Sequence, residues 1–405
     1  MPADTSKKSA MQLIILFGLV SLFGDIIYEG ARSVNGPYLK TLGANAALVG
    51  LIAGIGEFLG YAIRLLSGYF ADKTKGYWVF TFVGYGLLVS VPLLALTGSW
   101  QLVALLIVAE RIGKAVRAPA RDTIVSQASK QVGTGFGFGF SEAMDQIGAT
   151  AGPLIFTALF LFLGHGSKTV GDYQTGYHLL WIPFVLLMAC VVFAFRRVPD
   201  PSKLEAVVSK PAQPEKLTPV FWLYTAFSFI TTLGFVNFIL MAYHFKARAI
   251  MPDAQIPMFY AAAMLIDGGV ALLIGKAYDN LIRTKKNDKA GLLTLIVIPL
   301  FSVLVPVLGF SSNYFLAVAG VLLWGIVMGA HETVMKSAIA DLTPIKKRGT
   351  GYGIFNTSYG LAVLFGSALM GLLYDRSIPL LVGLSIALQV VAFVFFFKLR
   401  KEALK

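Results

Sequence analysis

The stretch GTGFGFGFSEAMDQIGATAGP, Gly133 to Pro153, admits three readings: a phosphate loop, a strand or a membrane helix. Glycine stands at every second position from Gly133 to Gly139. Glu142 and Asp145 follow, and Gly148, Gly152 and Pro153 lead into the apolar run LIFTALFLFLG. A glycine-rich loop cradles phosphate when it follows a strand and opens a helix. Here a long apolar segment (101–126) precedes it, so the nucleotide reading falls away. In water each glycine costs a helix about 1 kcal/mol relative to alanine. In lipid, small residues four apart let helix backbones approach closely. The stretch therefore reads as a membrane helix, with Gly148-x-x-x-Gly152 as a close-packing pair.

The rest of the chain agrees. It has 405 residues, of which 57% are hydrophobic and 14% charged, with mean hydropathy +0.73. Soluble domains carry about 25% charge, so this chain cannot cover a globule with polar surface. A bilayer crossing takes about 20 mostly apolar residues. Twelve segments qualify: 11–37, 46–70, 77–97, 101–126, 135–163, 177–196, 219–247, 255–279, 290–310, 314–340, 350–374 and 379–398. Their runs are continuous rather than alternating, which excludes a β-barrel. The expected class is an all-α membrane protein with twelve transmembrane helices in two six-helix bundles, 1–197 and 219–405. A polar linker, 198–218, joins them. The first apolar run is too long for a cleaved signal peptide and is read as retained. The lone Cys190 excludes an intramolecular disulfide.

The net charge of +13 suggests nucleic acid until the charges are placed. With the N-terminus inside, 21 Lys and Arg fall in inside segments and 5 in outside ones. That bias fits the positive-inside rule. The expectation is a multi-pass protein of the cell inner membrane with both termini cytoplasmic, a monomer in the lipid bilayer, and no nucleic-acid partner.

The halves are copies. Gly68-x-x-x-Asp72, Gly275-x-x-x-Asp279 and Gly371-x-x-x-Asp375 each close an apolar segment. GFGFSEAMDQIGATAG (137–152) aligns with GYGIFNTSYGLAVLFG (351–366), setting Gly152 over Gly366, Glu142 over Asn356 and Asp145 over Tyr359. RAPARD (117–122) aligns with KSAIAD (336–341). Duplicated halves around a midplane site are a common transporter plan.

Two six-segment halves, a long basic central loop and GYFADKTKG (68–76) together resemble the major facilitator superfamily. ERIGKAVRAPARDTIVSQAS and GDIIYEGARSVNGPYL look like a poorly characterised bacterial branch of it, marked by RAPARD in the fourth segment. The resemblance implies alternating access around a cavity lined by segments 1, 4, 7 and 10. It also implies a gate at Gly68, Asp72 and Lys73, in which Asp72 latches one side closed; a simple turn role is the alternative. Gly148, Gly152 and Pro153 partly resemble an exporter gating signature, although LIFT (154–157) replaces its last glycines; close packing is the alternative.

An ionised group at the bilayer centre costs at least about 2.5–3.5 kcal/mol, so buried charge marks function or pairing. Asp25 and Glu29 lie one helical turn apart on one face. With Glu142 and Asp145 they are the candidate proton-coupling residues. Arg32, Glu110, Arg111, Lys114, Asn237, His331, Glu332, Asn356 and Tyr359 are candidate cavity residues. Arg111 and Lys114 are suited to attracting an anion, while Arg117 and Arg121 read as snorkelling or paired. The four histidines do not form a metal-ligand pattern, and His331 and Glu332, being adjacent, face different ways on a helix. No hydrolase triad or Walker motif is present, so no enzyme activity, cofactor, metal or ATP drive is expected. The expected function is secondary active transport of a small solute, as proton-coupled export; the alternative is an uptake carrier or facilitator for an anionic small molecule.

Overall fold

A computed structural model describes residues 3–132, 134–164, 166–200, 217–287, 289–342 and 348–404. Most of the expected linker and Gly133 lie outside them. Every regular element among the described residues is helical. The spans are α1 (Ala3–Thr41), α2 (Ala46–Thr74), α3 (Tyr77–Leu96), α4 (Trp100–Val132), α5 (Thr134–Phe162) and α6 (Val170–Arg197). The second set is α7 (Pro219–Ala247), α8 (Gln255–Lys285), α9 (Ala290–Gly309), α10 (Tyr314–Leu342), α11 (Arg348–Arg376) and α12 (Ile378–Ala403).

Eleven of these are long and apolar enough to cross a membrane. The twelfth, α4, is long enough but carries Glu110, Arg111, Lys114, Arg117, Arg121 and Asp122, which lower its apolar character. Several helices, α1, α2, α4, α8 and α12 among them, outrun the apolar segments read from sequence. α6 starts at Val170 rather than 177 because the Asp172 carboxylate accepts a hydrogen bond from the Thr169 amide at 2.7 Å, capping a polar first turn.

Contacts divide the chain into two units. One comprises Met1–Leu42 and Leu59–Lys210; the other comprises Gly43–Phe58 and Pro211–Lys405. The single helix α2 contributes its first half to the second unit and its second half to the first.

In the first unit α1 lies against α5 with almost no side chain between them. A Cβ on Gly30 would sit 3.1 Å from the Gly152 carbonyl oxygen, and one on Gly148 would sit 2.5 Å from the Leu22 carbonyl oxygen. The second unit repeats this: a Cβ on Gly366 of α11 would meet the Leu233 carbonyl oxygen of α7 at 2.6 Å. The aligned glycines Gly152 and Gly366 thus seat equivalent helix pairs, the small-residue packing that lipid-embedded helices use.

α7 breaks after Leu233 and restarts at Phe238. The backbone freed by the break is satisfied from α12. Ser385 donates to the Gly234 carbonyl at 2.6 Å, and Gln389 donates to the Thr231 carbonyl at 2.9 Å while accepting from the Thr231 hydroxyl at 2.8 Å. Irregular backbone at membrane depth needs such protein partners.

Candidate functional site

α1 places Tyr28, Glu29 and Arg32 within one turn, and α4 places Glu110, Arg111 and Lys114 likewise. The two sets meet inside the first unit. Arg111 donates to the Tyr28 hydroxyl, and its guanidinium carbon lies 4.4 Å from the Tyr28 ring centre. Arg32 donates to the same hydroxyl at 3.3 Å. The Lys114 ammonium lies 4.0 Å from the ring centre. An aromatic face attracts cations, more strongly where water is excluded, and Tyr28 is only 4% exposed. Glu29 pairs with Arg32 at 3.6 Å and Glu110 with Arg111 at 3.5 Å. A small pocket opens here, walled by Tyr28, Arg32, Asn35, Glu110 and Arg111, with Ala31, Val91, Leu94 and Ile107 completing it.

One turn along α1, Asp25 interacts electrostatically with Asp145, Lys114, Glu29 and Arg121. Arg121 reaches back to Ser21 at 3.3 Å and pairs with Asp122 at 3.0 Å. α1, α4 and α5 therefore bring Asp25, Glu29, Glu110, Arg111, Lys114 and Asp145 into one network. Glu142 is exposed on α5, although it shares sequence spacing with Asp145.

In the second unit Asn356 and Tyr359 stand where the sequence repeat sets Glu142 and Asp145 in the first. His331 is buried, 3.3 Å from the Thr232 hydroxyl, with its ring against Tyr359 and Phe235. Glu332 is exposed, as adjacency on a helix requires. Asn237 accepts from the Ile239 amide at 3.0 Å and caps the second piece of α7. Asn356 is half-buried on α11.

Among the gating residues, Gly68 faces Pro119: a Cβ there would sit 3.4 Å away. Asp72 and Lys73 are exposed; Asp72 accepts from the Tyr77 hydroxyl at 3.0 Å, and Lys73 lies over Tyr69. Gly148, Gly152 and Pro153 are buried. A carboxylate on a helix end does occur, at Asp375. Its two oxygens accept from the Ala46 and Ala47 amides, at 3.2 and 2.8 Å, at the start of α2.

Tyr28 is absent from the candidates that the sequence offers, and Asp375 stands there only as one of three Gly-x-x-x-Asp copies. Tyr28 lies three residues after Asp25 and four before Arg32, a spacing that sets it beside both on the helix surface. Among the described residues no cluster of three or more His, Cys, Asp or Glu is placed to hold a metal ion.

Comparison with known proteins bears on this arrangement. A family model described as Major Facilitator Superfamily matches residues 14–330 and, overlapping them, 284–405. An uncharacterized protein of Mycobacterium tuberculosis is 39% identical over 404 residues, covering 98% of this chain and 95% of that one. An uncharacterized MFS-type transporter of Methanocaldococcus jannaschii is 25% identical over 391 residues, covering 92% and 91%. Among solved structures, the nucleoside transporter NupG superposes with a TM-score of 0.68 at 14% identity, covering 96% of this chain and 98% of that one. A bacterial homolog of the human lysosomal transporter Spinster, inward-facing and unoccupied, gives 0.71 at 14% identity, covering 98% of each. At such identity the likeness is one of fold.

Proposed function

Because the chain belongs to the Major Facilitator Superfamily and is a multi-pass membrane transporter, we propose that it is a secondary active carrier that exports a small solute against a proton gradient. The carrying observation is the network of Asp25, Glu29, Asp145, Lys114 and Arg121 on α1, α4 and α5. Carboxylates among cations in a low-dielectric setting change partners when a proton arrives, and such residues in membrane helices commonly serve proton relays. Glu142 stands exposed one turn from Asp145 and is the fourth candidate for the proton.

In this reading 1–197 and 219–405 act as two bundles joined by the linker, and the solute-bearing face alternates between the two sides of the membrane. Gly68, Asp72 and Lys73 gate one side. Gly148, Gly152 and Pro153 let α5 slide against α1. The protein works as a monomer in the cell inner membrane with both termini cytoplasmic, using no cofactor or metal. A second reading, a carrier or facilitator for an anionic small molecule, is favoured by the three cations around Tyr28.

The test is flux from proteoliposomes loaded with a bacterial metabolite extract, read by mass spectrometry under imposed pH gradients. Proton-coupled export predicts movement of some component that follows the gradient and is lost in at least one of Asp25→Asn, Glu29→Gln, Glu142→Gln and Asp145→Asn. Flux indifferent to the gradient in the unaltered protein would leave the facilitator reading instead.

A further inference from the structure

α8 and α12 both end in positive charge that the protein leaves uncompensated. Arg283, Lys285 and Lys286 stand at the end of α8, and Lys398, Arg400 and Lys401 in the last two turns of α12. All six are exposed. Among the described residues none of them pairs with a carboxylate. Arg283 donates to the Asn280 side chain at 3.0 Å, and the Lys398 ammonium lies 5.7 Å from the Phe395 ring centre. Asn287 ties the two helix ends together: its side-chain amide donates to the Ala403 carbonyl at 3.3 Å. The described carboxylates nearest in sequence, Asp279 and Glu402, are too few to balance the six cations.

The periodicity of α12 shows what lies beside this charge. Ala392, Phe396, Leu399 and Ala403 are buried at spacings of four, three and four, so they mark the face turned to protein. The opposite face reads Val390, Val394, Phe397 and Lys401 at the same spacings. Its three apolar members are exposed, and the row ends in a cation. A partner for this end must be anionic at one tip and apolar along its body. A nucleic acid or an acidic protein offers the charge alone. We propose that the ends of α8 and α12 bind an anionic phospholipid, with its phosphate among Lys286, Arg400 and Lys401 and an acyl chain along Val390, Val394 and Phe397. Each Lys or Arg near the membrane surface strengthens the hold on anionic lipid by about fivefold. Such a site works in the bilayer whatever the solute or the coupling ion.

The experiment is native mass spectrometry of the full chain in detergent, titrated with phosphatidylglycerol or with phosphatidylcholine of matched acyl chains. Phosphatidylglycerol is expected to bind at least about tenfold more tightly. Lys286→Gln, Arg400→Gln and Lys401→Gln combined should weaken it by about a hundredfold. Arg400→Lys with Lys401→Arg keeps the charge and should bind as the unaltered protein does. Arg196→Gln with Arg197→Gln, at the exposed end of α6, should do the same. Soluble glycerol phosphate should not displace the bound lipid. The assignment is overturned if the two lipids bind alike, if the triple variant keeps its affinity, or if the charge-keeping pair loses it. It is equally overturned if the α6 variant weakens binding as much as the triple one, or if glycerol phosphate displaces the lipid, which would mark a site for a free anion.

Discussion

Gly152 matters for what it lacks. A methyl group there would overlap the Ile26 carbonyl oxygen and lie 2.8 Å from the Gly30 amide nitrogen. Backbone atoms cannot rotate away as a side-chain tip can, so α1 and α5 would have to part. On an open helix face Gly→Ala stabilises by up to about 1 kcal/mol. Here the sign reverses, and Gly152→Ala is expected to destabilise by about 1–3 kcal/mol, the usual range for overpacking. Gly383 on α12 has open space around it, so Gly383→Ala should be neutral or stabilising. Thermal unfolding of both variants in detergent checks the pair; equal shifts would refute the packing account. The small-x-x-x-small spacing made Gly148 and Gly152 legible in advance. Tyr28 was not, because a lone tyrosine in an apolar run looks like ordinary filling until a second helix brings cations to its ring.

The start of α2 is fastened to α11 by more than the Asp375 cap. A Cβ on Gly54 would lie 2.9 Å from the Leu364 carbonyl oxygen, and one on Gly371 would lie 3.1 Å from Ala47. Removing an N-cap side chain costs about 0.5–2 kcal/mol, and the carboxylate also meets the positive end of the helix dipole. Asp375→Ala should therefore loosen the first turn of α2, seen as faster hydrogen exchange at the amides of Ala46 to Gly50. Asp72→Ala, which removes a bond from the buried Tyr77 at the start of α3, should leave those amides unchanged. The Gly-x-x-x-Asp motif was readable in all three copies. Which copy meets a helix end depends on how helices far apart in sequence come together, and spacing does not encode that. The break in α7 escaped notice for a related reason: its partners, Ser385 and Gln389, lie more than 150 residues away.

At the scale of the whole molecule, hydropathy carried most of the fold. Each of the twelve helices holds an apolar run, but α1 and α6 begin well before theirs, and α4 dilutes its run with charge. The site was legible only as a set of improbable residues, because hydropathy reports that a charge is buried but not what it touches. The asymmetry between halves was visible too: Asp145 aligns with Tyr359, and in the folded chain the first unit holds an ionic network where the second holds His331, Thr232 and Tyr359. The distribution of Lys and Arg makes a further prediction. Green fluorescent protein fused to either terminus should fluoresce, and alkaline phosphatase inserted at residue 43 or 166 should be active. The reverse pattern would invert the orientation.

α2 answers to two masters. Its 29 residues span about 44 Å at 1.5 Å per residue. Phe58, where its allegiance changes, sits among Gly54, Gly56 and Gly60. Three glycines within seven residues leave the helix least braced by side chains just where its membership passes from one unit to the other.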